Sequence, residues 1–229
     1  AAGGRAHPAA RADPAAERDW RAAVAPSPAP VFRIMAVKSA RSGQNQVTRR
    51  LREHIEVCRD LYGLEREIEA AGRALVKVIA RGGKILFLGC GGSAAMAQHL
   101  AAELVVRFRE NRRPLPGVAV TDSAVLTAAA NDFGWEQALA RPVLALARPG
   151  DAVVALSTSG ESPAVLEAAR AALKVGALLV ALTGVGPNTL ASLARHAILV
   201  PSHDTARVQE MHLLVGHIWC ELIEERCGR

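Results

Sequence analysis

Four hydroxyl side chains fall within six residues at Ser157-Thr158-Ser159-Gly160-Glu161-Ser162, immediately before Pro163. The run follows the apolar segment Ala152 to Leu156 and precedes a helical pattern from Val165 to Leu173, with Pro163 suited to a first helical turn. Small hydroxyl side chains and a glycine at a helix N-terminus let backbone N–H groups face an anion while the hydroxyls add donors. A phosphate monoester can be held this way without a lysine. A plain Ser/Thr helix cap is the competing account, and the density of hydroxyls favours phosphate.

A second group of residues could hold a metal or move protons. His99 and Glu103 are four apart and share one helix face, which offers a metal ligand pair or an acid/base pair. Gln209 and His217 are eight apart on a later helix, a rise of ~12 Å, so they could serve one ion only by bracketing it, each reaching ~6 Å. Taken singly, each pair reads more simply as a polar helix face. His212 lies off the line of Gln209 and His217 and reads as structural. Gly89-Cys90-Gly91-Gly92-Ser93 looks like a dinucleotide turn, but Ala94 occupies the place of the third glycine and no acidic residue follows at the expected distance. A glycine turn that lets backbone come close to a sugar is the better account.

These residues need a scaffold, and the apolar pattern supplies one. From Val47 to Ile79 apolar positions recur at helical spacing with a break near Tyr62-Gly63, which predicts an N-terminal helix pair closed by Gly82-Gly83. Short apolar runs at Ile85 to Leu88, Val118 to Val120, Ala152 to Leu156, Leu178 to Leu182 and Ile198 to Val200 then alternate with longer amphipathic stretches. That alternation predicts an α/β fold with a five-stranded parallel sheet covered by helices on both faces. A last helix spans Thr205 to Glu225. In such sheets ligands bind at the carboxyl ends of the strands, where the glycine turn, the Ser157 to Ser162 run and Thr183-Gly184 all collect.

Bulk composition narrows the function classes. The chain has 229 residues, half of them apolar, enough for one substantial core but not for two large domains. Residues 1–42 are rich in Ala, Pro and Arg and read as a disordered tail, leaving 43–229 as a single domain. The first methionine is Met35, and the stretch before it reads as a start-site artefact, with an Arg-rich targeting peptide as the alternative. The net charge of +6 is concentrated before residue 51, and the eight aromatic residues are scattered, which argues against a nucleic-acid partner. Four cysteines without C-x-x-C spacing read as reduced thiols, and no apolar run is long enough to span a bilayer. A cytoplasmic location with no membrane partner is the expectation.

The order of the motifs carries a family resemblance. Gly91-Gly92-Ser93 with His99, Glu103 and Arg107, then Asn131-Asp132-Phe133-Gly134, then Ser157-Thr158-Ser159-Gly160, then Arg207-Val208-Gln209-Glu210 with His217, strongly resembles the sedoheptulose-7-phosphate (phosphoheptose) isomerases of the sugar isomerase, or SIS, domain family. It runs from about residue 45 to 225. The resemblance implies a three-layer SIS sandwich and a homotetramer with active sites at subunit interfaces. It implies conversion of sedoheptulose 7-phosphate to D-glycero-D-manno-heptose 7-phosphate, toward nucleotide-activated heptose. It also implies one zinc ion per subunit on His99, Glu103, Gln209 and His217, with Glu103 and His217 as the acid/base pair. Ser157, Thr158, Ser159 and Ser162 would take the phosphate, and Arg107, Asn131 and Asp132 would contact the sugar phosphate. Cys90, Gly91, Gly92, Ser93, Glu103 and Gln209 would complete the substrate set.

Two positions depart from the family pattern. Cys90 and Glu161 stand where the family normally has Asn. A carboxylate at 161 would repel a phosphate dianion unless it points away or pairs with a cation. A related SIS group binds the bacterial replication initiator and is not catalytic; it is similar to Pro201-Ser202-His203 and Ala206 to His212. That group lacks the acid matching Glu103 and the imidazole matching His217, and this chain has both.

Overall fold

The structure is a computed structural model and describes residues 45–228. The tail expected over residues 1–42 lies outside them. The N-terminal helix pair is α1 (Gln46–Asp60) and α2 (Glu65–Ala80), joined by a 3₁₀ turn over Leu61–Leu64 where Tyr62-Gly63 breaks the pattern. Asn45 starts α1 by accepting from Val47 N. The sheet and its helices follow in alternation, with two helices between β2 and β3: β1 (Ile85–Gly89), α3 (Gly92–Val105), β2 (Gly117–Ala119), α4 (Ser123–Phe133), α5 (Ala140–Leu146), β3 (Ala152–Ser157), α6 (Pro163–Lys174), β4 (Leu178–Gly184), α7 (Thr189–Leu193), β5 (His196–Val200) and α8 (Thr205–Cys227). β4 runs two residues further than its apolar run and takes in Thr183 and Gly184, while β2 sits one residue earlier than its run.

All strand pairs are parallel, in the order β2-β1-β3-β4-β5. β1 and β3 are buried along their whole length, which explains runs of apolar residues in place of alternation. Successive side chains still face opposite layers. Ile85 and Phe87 enter the core under α2, α3 and α8, while Leu86 and Leu88 enter the core under α5 and α6. Trp219, 1% exposed, ties α8 to α2 by donating from Nε1 to Ile68 O at 2.9 Å. The three-layer sandwich and five-stranded parallel sheet expected from the pattern are both present.

The strand order creates the crevice. β1 and β3 are neighbours, yet the helix after β1 packs on one face and the helix after β3 on the other. In parallel α/β sheets such a switch point, at the carboxyl ends of the two strands, is where ligands bind. α1 has no buried residue, and Val47, Leu51 and Ile55 form an exposed apolar stripe along it.

Candidate active site

The loop after β3 is shaped by its own backbone. Gly160 adopts φ +68°, a left-handed conformation that glycine tolerates, and a Cβ there would fall 2.1 Å from Asn188 Oδ1. The Gly160 amide lies 3.1 Å from Ser157 Oγ and 3.2 Å from Ser157 O, and Ser159 Oγ accepts from Glu161 N. Thr158 O accepts from Gly184 N at 3.1 Å, locking the loop to the end of β4. Ser162 is the N-cap residue of α6, and Pro163 occupies the first turn as anticipated. The Ser162 hydroxyl makes no capping bond to α6; it lies 3.7 Å from Cys90 Sγ on the glycine turn after β1. Ser162 and Cys90 thus meet between the loops after β3 and β1, where the turn passes through Gly91 at φ +57° into α3 with Ser93 buried in its first turn.

Glu161 turns its carboxylate to the start of α7. Its carboxylate accepts from Thr189 N at 2.6 Å and from Thr189 Oγ1 at 2.8 Å, capping α7. The Thr189 amide and hydroxyl hold its pKa below the usual carboxylate range. Of the two ways expected to spare a phosphate from this acid, pointing away or pairing with a cation, the bonds to a neighbouring helix start correspond to the first.

His99, Glu103 and His217 converge where α8 lies alongside α3. Their contacts show a parallel arrangement: the Gln209 amide packs against Gly92, Gly216 against Leu100, and Glu224 reaches Phe108 beyond the end of α3. A Cβ on Gly216 would fall 2.6 Å from Leu100 Cδ2, so this glycine is what allows the close approach. The next residue, His217, presents Nε2 to His99 Nε2 at 2.8 Å. His99 Nε2 is also 3.3 Å from Glu103 Oε1. Two ring nitrogens that close must share one proton, with one donating to the other, or face one positive centre. Among the described residues, ligand atoms of His99, Glu103 and His217 all lie within 4.8 Å of one another. Two imidazoles and a carboxylate are a donor set that suits zinc with a position left open. Burial pushes the His217 pKa down, helped by His99, while Glu103 opposes the shift, so neutral imidazole is favoured.

Comparison with known proteins agrees with this geometry. Residues 49–184 match the SIS domain family. A phosphoheptose isomerase of Campylobacter jejuni is 43% identical over 182 residues, which is 79% of this chain and 98% of that protein. One from Roseiflexus is 49% identical over 158 residues, 69% of this chain and 80% of that protein. The chain belongs to the phosphoheptose isomerases of the SIS domain family. The solved phosphoheptose isomerase of Neisseria gonorrhoeae shares its fold at a TM-score of 0.74 and 36% identity, covering 78% of this chain and 97% of that one.

Within this SIS domain, not every residue named from sequence reaches the cluster. The Gln209 side chain lies at Gly92 and not beside the His217 imidazole. Because α8 runs parallel to α3, its amide meets Gly92 at the start of α3, about two helical turns from His99. Asn131 and Asp132 sit on the last turn of α4, hydrogen-bonded to each other at 2.8 Å, with Asp132 lining a groove between α4 and α5. Arg107 is exposed just past α3, with Nη1 3.5 Å from Arg109 O. His212 is fully buried, as a structural role demands: its Nε2 lies 3.1 Å from Thr183 O, and burial pushes its pKa down to about 4. Sequence reasoning passed over Gly216 and Phe108, whose ring stacks on His217 at 5.4 Å. A lone glycine in the middle of a helical pattern, beside a histidine, was the available signal for Gly216.

Proposed function

We propose that the protein interconverts sedoheptulose 7-phosphate and D-glycero-D-manno-heptose 7-phosphate, with Glu103 and His217 as the acid/base pair. The single observation that carries this reading is the convergence of these two residues, 114 positions apart, on one cluster with His99. Moving a carbonyl from C2 to C1 requires loss of the C1 proton, a shared enediolate and return of a proton to C2. Glu103, a carboxylate anchored on α3, takes and returns the carbon proton. His217, held neutral by burial, exchanges protons with the two oxygens, donating to O2 as O1 gives one up. The Ser157 to Ser162 loop and the N-terminus of α6 hold the phosphate at the crevice with Ser157, Thr158, Ser159 and Ser162, which fixes the far end of the sugar. Arg107, Asn131 and Asp132 contact the sugar phosphate in this reading, and Cys90, Gly91, Gly92 and Ser93 let it lie close to the turn.

His99, Glu103 and His217 would hold a zinc ion, joined by Gln209 once its side chain swings from Gly92 toward His217. When bound, zinc supplies a Lewis acid that stabilises enediolate charge. The homotetramer is supported by the apolar stripe Val47, Leu51 and Ile55 on α1, which stays exposed among the described residues. A second copy is the cover we assign to it. A cytoplasmic location fits a soluble sugar phosphate substrate. The acid and the imidazole that the replication-initiator adaptors lack are both in place, which favours the enzyme over the adaptor.

The test is turnover of sedoheptulose 7-phosphate by the full chain, with and without chelator, beside Glu103→Gln and His217→Ala. Each variant is expected to lose ~10²–10⁴-fold in rate while staying folded by circular dichroism. An inactive wild type, or unimpaired variants, would sink the assignment.

A further inference from the structure

Beyond the acid/base pair lies a buried ion pair that the chemistry above does not use. Glu224 on the last turns of α8 meets Arg112 on the loop after α3, Nε to Oε1 at 3.1 Å, with their side chains 6% and 4% exposed. Glu224 also accepts from three successive backbone amides: Phe108 N at 3.0 Å, Arg109 N at 2.9 Å and Glu110 N at 3.2 Å. Arg112 turns its other nitrogens to the end of α3, donating from Nη2 to Glu103 O and from Nη1 to Leu104 O, both at 2.7 Å. Those carbonyls are among the last four of α3, which have no partner within the helix.

A buried ion pair is weak evidence for stability, since apolar groups of the same volume often serve as well. What this pair does fix is position. The segment it grips carries Phe108, whose ring lies on the His217 imidazole with 28° between planes. The guanidinium grips the backbone of Glu103 itself. Both members of the acid/base pair are therefore tied to one clamp, one through its main chain and one through a stacked ring.

We propose that Arg112 and Glu224 are positioning residues for the isomerase site, acting through Phe108 on His217 and through the Glu103 carbonyl on α3. The face of Phe108 leaves the His217 ring one plane to occupy, and the clamp keeps that face from drifting with the loop. A misplacement of ~1 Å at reacting groups can cost ~10²-fold in rate. Its consequence for rate rests on the isomerase reading; its consequence for cation binding by His99, Glu103 and His217 does not.

The experiment compares wild type, Glu224→Gln, Phe108→Leu, Phe108→Tyr and the double variant Glu224→Gln/Phe108→Leu, all as the full chain. Three quantities are read: kcat and KM with sedoheptulose 7-phosphate, Co²⁺ affinity by competition with a chromogenic chelator, and fold by circular dichroism. Glu224→Gln and Phe108→Leu are each expected to lower kcat ~10–100-fold with KM little changed, and to weaken Co²⁺ binding ~10-fold. Phe108→Tyr keeps the stacked ring and keeps both properties. The double variant loses no more than its worse parent, because the carboxylate acts through the ring. Folded variants with wild-type Co²⁺ affinity, or losses that multiply in the double variant, overturn the proposal. If Glu224→Gln does not fold, equal behaviour of Phe108→Leu and Phe108→Tyr overturns it. A wild type that binds Co²⁺ without turning over the sugar removes the isomerase reading alone, and the Co²⁺ series still decides the clamp.

Discussion

Gly216→Ala adds one methyl group where α8 presses on α3, and its effect can be worked from the distances. The new Cβ would fall 2.6 Å from Leu100 Cδ2 and 2.7 Å from Cδ1. Carbon atoms rest ~3.5–4.0 Å apart, so the helices must part by about 1 Å or Leu100 must change rotamer. Leu100 is fully buried, so a rotamer change would press it into close-packed neighbours. Overpacking of this kind costs ~1–3 kcal/mol, offset by ~1 kcal/mol because Ala is a better helix former than Gly. The net loss of about 1 kcal/mol lowers Tm by ~2–4 °C in a domain of this size. The rate effect is larger. His217 is the next residue, and a parting of ~1 Å pulls its Nε2 away from His99 Nε2, now 2.8 Å off, and from Glu103. Misplacement by ~1 Å predicts a fall in kcat of ~10²-fold. Initial rates on sedoheptulose 7-phosphate and a calorimetric melt measure the two quantities. Adding Leu100→Ala should restore part of the rate while lowering Tm further, since it clears the space but leaves a cavity. Wild-type turnover in Gly216→Ala together with an unchanged or higher Tm would refute the idea that close helix approach sets the His217 position.

Two further outcomes follow from contacts away from the cluster. Glu161→Ala removes the cap on Thr189 and frees the loop that holds the phosphate; KM for the sugar phosphate should rise several-fold with kcat little changed, and Glu161→Gln should be milder because its amide oxygen can still accept from the Thr189 amide. Asp151→Asn weakens the junction at the amino edge of the sheet, where the carboxylate takes Lys84 Nζ and the amides of Lys84 and Arg148. Burial alone would raise the Asp151 pKa, but those donors outweigh it and hold the pKa below the usual carboxylate value. The stabilisation is therefore present above pH ~4 and is lost as pH falls through the lower folded value. Melts against pH should show Asp151→Asn about 2–3 kcal/mol less stable at pH 7, with the gap closing in acid; a gap independent of pH counts against the pairing.

Much of the fold was legible because parallel strands buried on both faces write themselves as short apolar runs, and five of these lie between amphipathic stretches. The hydroxyl-rich loop and the glycine turn were legible for a similar reason, since backbone approach to an anion needs small residues whatever surrounds them. The expected element ends moved by only a residue or two, as where Thr183 and Gly184 joined β4. Periodicity reports which face of an element is buried, but not what buries it. The position of α8 alongside α3, parallel and in contact at Gly216, was therefore hidden, and with it the meeting of His217 with His99 and the separation of Gln209 at Gly92. Glu161 was an open question for the same reason, because its partner Thr189 comes from a different strand–helix unit.

The sequence by itself determined a parallel α/β sandwich, a hydroxyl-rich loop at a helix start and a short set of side chains able to move protons, since residue type and spacing fix local conformation and available chemistry. Tertiary structure alone decided which of those side chains act together. His217 joins Glu103 because a glycine lets two helices touch, and Phe108 reaches the His217 ring because Glu224 of α8 grips the loop that carries Phe108 and Arg112.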